Sequence, residues 1–78
     1  MIDLETATEF RLDCLLRDID QDLKFALLDS DMVQYRALMA RRIIVDQHWR
    51  RAFAKANNAP IPALAYDPEH ALELYRAR

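Results

Sequence analysis

Residues 26–35 read Ala-Leu-Leu-Asp-Ser-Asp-Met-Val-Gln-Tyr, and the polar triplet at their centre, Asp29-Ser30-Asp31, decides the fold. Short polar side chains favour turns and helix caps because they compete for backbone hydrogen bonds. Negative charge also stabilises the N-terminus of a helix that follows it. Long segments without glycine or proline flank the triplet on both sides. The stretch therefore predicts two helices joined by a tight turn, and so short a connection makes them antiparallel.

The segment before the turn predicts a first helix from about Asp3 to Leu28. Its start carries two signals, Asp3 as an N-cap and Thr6 to Glu9 as a capping box, and both remain open. Steps of four and three residues mark a buried helical face. Its members are Leu12, Leu16, Ile19, Leu23 and Ala26 or Leu27, with Leu15 alongside. A second apolar stripe falls on nearly the opposite side and consists of Phe10, Cys14, Phe25 and Leu28.

The segment after the turn predicts a second helix from about Asp31 to Ala56. Asn57-Asn58 and the two prolines beyond them mark its end. One broad core face is expected, made of Tyr35, Leu38, Met39, Val45, Trp49, Ala52, Phe53 and Ala56. Arg42 and Asp46 fall within that face, four residues apart, so we expect them to pair. Such a pair either reaches toward acids of the first helix or water, or faces a partner. Ile44 and Val33, with Ala37 and Ala40, are expected on the opposite side.

Residues 59–78 predict an extended arm followed by a short helix. Residues before proline avoid the helical region, which keeps the arm extended. Asp67-Pro68-Glu69 is typical of a helix start, and Ala71, Leu72 and Tyr75 form the apolar face of that helix. We expect the arm to extend away from the hairpin and dock on a partner or sister subunit, with its own chain as the alternative. The predicted fold is all-α, an antiparallel two-helix hairpin (1–58) plus this arm and helix (59–78), in one domain.

Composition excludes several classes of function. The 78 residues contain no glycine, which removes phosphate-binding loops and strained nucleophile turns. A single cysteine permits no intrachain disulfide. The net charge is −2, but the charges are unevenly distributed along the chain. Residues 1–31 carry nine acids and three bases, whereas residues 32–58 carry six bases and one acid. The hairpin therefore places an acidic helix beside a basic one.

No pattern in the sequence supports a metal site or a catalytic centre. Asp18, Asp20, Asp22 and Asp29 have the spacing of a calcium-binding loop, but Leu23 stands where that loop needs glycine. Cys14, His48 and His70 lack the short spacings of zinc ligands. Ser30 is expected to cap the second helix, and Cys14 is expected to be a structural thiol. We therefore expect neither enzymatic activity nor a cofactor.

Residues 26–42 resemble small helical-hairpin proteins encoded among the virion genes of tailed bacteriophages. The resemblance lies in the leucine pair at 27–28, the short acidic turn, and Tyr35-Arg36 before Leu38 and a further arginine. The glycine usual in that turn is absent here. The resemblance implies a structural or accessory subunit, at the head or the head-to-tail junction. It assigns no role to any residue.

These observations predict a non-enzymatic protein that binds other proteins, as a homo-oligomer or docked on a larger assembly. The expected interface residues are Phe10, Phe25, Leu28, Arg42, Trp49, Tyr66, Leu72 and Tyr75. The first alternative is a small regulator or inhibitor of a host protein. The second is a nucleic-acid-binding accessory protein that uses the basic second helix, which the acidic helix alongside disfavours. The longest uncharged stretch, Ala56 to Tyr66, is too short to span a membrane, so we expect a location in the host cytoplasm or the virion.

Overall fold

The computed structural model describes residues 3–65, which form two packed helices, α1 (Glu9–Leu28) and α2 (Met32–Ala56). No strand occurs within this range. The predicted all-α hairpin is thereby confirmed. The predicted C-terminal helix and three expected interface residues, Tyr66, Leu72 and Tyr75, lie outside the described residues.

The turn between the helices is closed by backbone hydrogen bonds. Ser30 donates its amide to the carbonyl of Leu27 (3.1 Å), and Asp31 donates to the carbonyl of Ala26 (2.9 Å). Ser30 adopts a left-handed conformation with φ of 55°, where glycine is usual, at a cost of about 1–2 kcal/mol. The N-cap of α2 is Asp31 and not Ser30 as expected, because the Asp31 side chain accepts a hydrogen bond from the amide of Gln34 (3.0 Å). The predicted turn is confirmed, and it needs no glycine.

Helix α1 begins six residues later than predicted, at Glu9, and neither expected cap is used. Its N-cap is Thr8, whose hydroxyl accepts a hydrogen bond from the amide of Arg11 (3.2 Å). Asp3 instead accepts a hydrogen bond from the amide of Glu5 (3.0 Å), which closes a separate turn before the helix. This turn lets residues before the helix fold onto the hairpin, and Leu4 and Ala7 pack against the core there.

The hydrophobic core lies between the two helices. The α1 stripe predicted from sequence is buried as expected, with Ala26 and not Leu27 as its last member. The core cluster comprises Leu12, Leu16, Ile19, Leu23, Ala26, Leu38 and Val45, and Leu15, Tyr35, Trp49 and Ala52 pack against it. Regular spacing of apolar residues therefore located the α1 half of the core correctly.

The buried face of α2 differs from the predicted one. The buried residues of α2 are Leu38, Arg41, Ile44, Val45, His48 and Ala54, whereas Met39, Phe53 and Ala56 are exposed. Ile44, expected on the far side, is only 4% exposed. Ile44 is buried without belonging to the core cluster between the two helices, so the buried surface of α2 is wider than the face that packs on α1.

The chain after α2 folds back along that helix and does not extend away from it as predicted. Asn58 is left-handed (φ 54°), and Ala59 donates to the carbonyl of Ala54 (2.8 Å), so the chain reverses at once. Arg51 then donates to the carbonyl of Pro62 (2.7 Å). Further along, Ala65 donates its amide to the side chain of Gln47 (2.8 Å). Residues up to 65 thus contact their own hairpin.

An ion pair between Arg42 and Asp20 joins the two helices. The Arg42 guanidinium donates from Nε to a carboxylate oxygen of Asp20 on α1 (2.6 Å). This hydrogen bond raises the pKa of Arg42 further above its ordinary value. Asp46 pairs instead with Arg50, one turn along α2 (2.8 Å). The predicted Arg42–Asp46 pairing is therefore wrong, whereas Arg42 does reach an acid of the first helix.

Candidate functional site

The main candidate for an interaction surface is the side of α1 that faces away from α2. We call it the outer α1 face, defined by Phe10, Cys14, Gln21, Phe25 and Leu28. Its three large apolar side chains are exposed: Phe10 to 77%, Phe25 to 57% and Leu28 to 79%. At about 100° per residue these positions lie opposite the buried leucines of the same helix. The exposed face therefore follows from the sequence of α1 and from the location of α2 on the other side.

A shallow groove of about 460 Å³ lies on the outer α1 face near the turn. It is lined by Arg17, Asp20, Gln21, Lys24, Phe25 and Leu28. An apolar wall with a rim of both charges is typical of sites that receive an apolar side chain and orient it by polar contacts. The groove was not predictable from the sequence, because its volume depends on the side-chain positions.

Charged residues flank the outer α1 face in an alternating order. Asp13, Arg17, Asp20 and Lys24 occupy successive turns along one side of the helix. Arg17 pairs with Asp13 within the helix (3.0 Å), and Arg17 is 79% exposed. Asp20 forms an ion pair with Arg42 of α2 (2.6 Å). The flank thus offers two acids and two bases to any partner that covers the apolar residues.

Two other expected interface residues, Arg42 and Trp49, lie on α2 and not on the outer α1 face. Arg42 joins the helices through Asp20. Trp49 packs against the core and stacks on Phe53, with ring centroids 5.4 Å apart. Within the described chain both side chains therefore have intramolecular contacts, and their roles toward a partner stay predictions.

Further apolar side chains are exposed on α2. Met39 and Phe53 were expected in the core, Val33 was expected on the side opposite the core, and Met32 and Ile43 were given no role from the sequence. Met32, Met39 and Ile43 are spaced by seven and four residues, which places them on one side of the helix. That spacing was a usable signal, but the arginines between them obscured it.

A second concavity, a cleft of about 320 Å³, lies between α2, the N-terminal segment and the segment after α2. Its lining includes Leu4, Glu5, Thr6, Ala7, His48, Arg51, Ala52, Lys55 and Ile61. One Glu5 carboxylate oxygen lies 3.6 Å from Nδ1 of His48 and the other lies 3.8 Å from Nη2 of Arg51. The cleft is where three remote parts of the chain meet, so sequence spacing could not reveal it.

His48 is the buried titratable group of this cleft, with 5% of its side chain exposed. Burial lowers the pKa of His48 below its ordinary value of 6.5, and the nearby Arg51 lowers it further. The carboxylates of Glu5 and Asp3 act in the opposite direction and are outweighed. His48 is therefore neutral in the folded protein at pH 7.

We expect acidification to destabilise the fold through His48. Because its pKa is lower in the folded than in the unfolded chain, the unfolded chain binds more protons as the pH falls through 6.5. Stability is present above that pH and decreases below it. Urea unfolding at pH 7.5 and pH 5.5 should show a larger loss for the natural chain than for His48→Asn. His70 is common to both chains, and an equal loss in both would contradict the expectation.

The described residues contain no arrangement suited to a metal ion or to membrane crossing. Among residues 3–65, no group of three or more His, Cys, Asp or Glu side chains could hold a metal. Asp18, Asp20 and Asp22 lie within the regular helix α1, so they form no calcium loop. Neither helix in this range is long and apolar enough to cross a membrane.

Comparison with known proteins gave no match. No protein-family model, no curated protein and no solved structure is similar to this chain at a significant level.

Proposed function

We propose that this chain is a non-enzymatic protein–protein interaction module that docks through the outer α1 face. The observation that supports this most directly is the exposure of Phe10, Phe25 and Leu28 on one side of a helix whose opposite side is already packed. Single exposed apolar residues are common on proteins, but a stripe of large ones beside a groove is typical of interaction sites.

The energetics favour docking of this face over a structural role for it. Burying a Phe or Leu side chain is worth about 1.5–3 kcal/mol relative to leaving it exposed. The hairpin gains little of this from Phe10 or Leu28, since both are more than three quarters exposed. Binding of a partner that covers the face would gain this burial free energy for all three residues. Aromatic anchors set in a groove with a charged rim are also typical of binding hot spots.

The assembly we propose is a phage-type particle, with this chain as a small structural or accessory subunit at the head or head-to-tail junction. The support for this part is the resemblance of residues 26–42 to virion hairpin proteins. The same face would also serve a regulator that binds one host protein. Mass spectrometry of purified particles distinguishes them, because a subunit is recovered at fixed stoichiometry and a regulator is not.

Site-specific photo-crosslinking tests the docking surface itself. A photoreactive residue placed at Phe25 or at Leu28, in cells that produce the chain naturally, should give a discrete protein adduct. The matched control is Val33, which is 83% exposed and apolar but lies on α2. Adduct mass then shows whether the partner is a second copy or another protein. Absence of adducts at both α1 positions, or equal adducts at Val33, would contradict the proposal.

A further inference from the structure

We propose that the partner at the outer α1 face is a second copy of this chain, with the two α1 helices antiparallel about a two-fold axis. The inference rests on the proposed function, because it names the partner of the same surface. A two-fold interface must be self-complementary: where one residue meets a second, the second meets the first across the axis. The apolar residues and the charged residues of α1 both satisfy that condition, and they do so in nearly the same register.

The apolar residues set the first constraint on the register. Phe10 and Leu28 stand at the two ends of the outer α1 face, equally far from Ile19 in the middle of the helix. In an antiparallel pair centred there, Phe10 of each copy lies opposite Leu28 of the other. The groove of about 460 Å³ beside Leu28 and Phe25 then receives the Phe10 ring of the second copy. Symmetry repeats this contact at the other end.

The charged flank independently gives nearly the same register. In a two-fold antiparallel pair, the same flank of both helices lies on the same side of the interface. Along that flank the charges alternate as Asp13, Arg17, Asp20 and Lys24. A pair centred between residues 18 and 19 brings Asp13 opposite Lys24 of the second copy and Arg17 opposite its Asp20. The two-fold axis repeats both contacts, which gives four contacts between opposite charges. A shift of one helix along the other by one turn would bring like charges together.

The opposite flank contains the weak point of this arrangement. Asp18 is exposed and lies close to the centre of the helix, so each copy places it near Asp18 of the other. Like charges across an interface oppose association. Removal of this charge should therefore strengthen the pairing of two copies.

Sedimentation equilibrium of the full chain tests the pairing. The natural chain should be in monomer–dimer equilibrium. Asp13→Lys or Lys24→Glu alone should weaken the dimer about tenfold, because either change replaces attraction by repulsion in the two symmetry-related contacts between residues 13 and 24. An equimolar mixture of these two variants should regain the natural affinity, since the mixed dimer restores opposite charges at both sites. Asp18→Asn should dimerise more tightly, and circular dichroism confirms that each variant is folded.

The outcomes separate this inference from the proposed function. A natural chain that stays monomeric up to several hundred micromolar, or a mixture that associates no better than either variant alone, would overturn the second copy as partner. Should the same monomeric chain give an adduct of another mass from Phe25 or Leu28, docking by the outer α1 face would stand. Absence of any adduct at those positions would refute both the docking surface and the second copy as its partner.

Discussion

Leu12→Ala should destabilise the hairpin by about 2–5 kcal/mol, the largest effect expected of a single substitution in this chain. Leu12 is 0% exposed and lies in the core between the two helices. Truncation removes buried apolar surface and leaves a cavity, and both effects disfavour the folded state. A domain of 78 residues has little stability to spare, so the variant should be largely unfolded at 37 °C.

Leu27→Ala is the matched control, because it makes the same chemical change on the same helix at a side chain that is 54% exposed. It should cost about 1 kcal/mol or less. Urea unfolding followed by circular dichroism measures both variants. Equal losses for Leu12→Ala and Leu27→Ala would show that the α1 stripe is not the core.

Local signals in the sequence were sufficient for the hairpin and for the α1 half of its core. The leucines of α1 recur at regular helical spacing, and α2 lies on that side alone. Asp29-Ser30-Asp31 combines a turn with a cap for the next helix, so its effect is determined by neighbours in sequence. The start of α1 was missed because an aspartate can cap a helix or close a short turn, and Asp3 does the latter.

The buried face of α2 could not be predicted from apolar spacing in the same way, because two different surfaces cover this helix. One side packs on α1, and a second side contacts segments far away in the sequence. Ile44 is buried although it is not part of the core cluster between the helices. Arg41 and His48 are buried as well, and a search for apolar spacing passes over both. The expected face was therefore rotated toward Met39 and Phe53, which are exposed.

The candidate site was partly visible in the sequence. Phe10, Phe25 and Leu28 were recognisable as a second stripe, since their position opposite the core follows from helical geometry alone. The groove beside Phe25 and the cleft around His48 depend on side-chain positions and on contacts between remote segments. Neither has a signature in residue spacing.

Replacing the apolar residues of the outer α1 face should abolish association while the fold is kept. The triple variant Phe10→Ser, Phe25→Ser and Leu28→Ser removes large apolar groups that the hairpin itself leaves exposed. Its thermal midpoint should stay within a few degrees of the natural chain when both are measured dilute, because exposed substitutions cost little. Binding should be lost, since about 1.5–3 kcal/mol of burial per residue is no longer gained.

The most direct test of the docking surface is the size of the complex that contains this chain in a native extract. Gel filtration should place the natural chain in a species larger than its own mass of 9.2 kDa, whether the partner is a second copy or another protein. The triple serine variant, folded by circular dichroism, should elute as the monomer. A natural chain that elutes as a monomer, or a folded triple variant that stays in the larger species, would contradict the assignment of the outer α1 face as the docking surface.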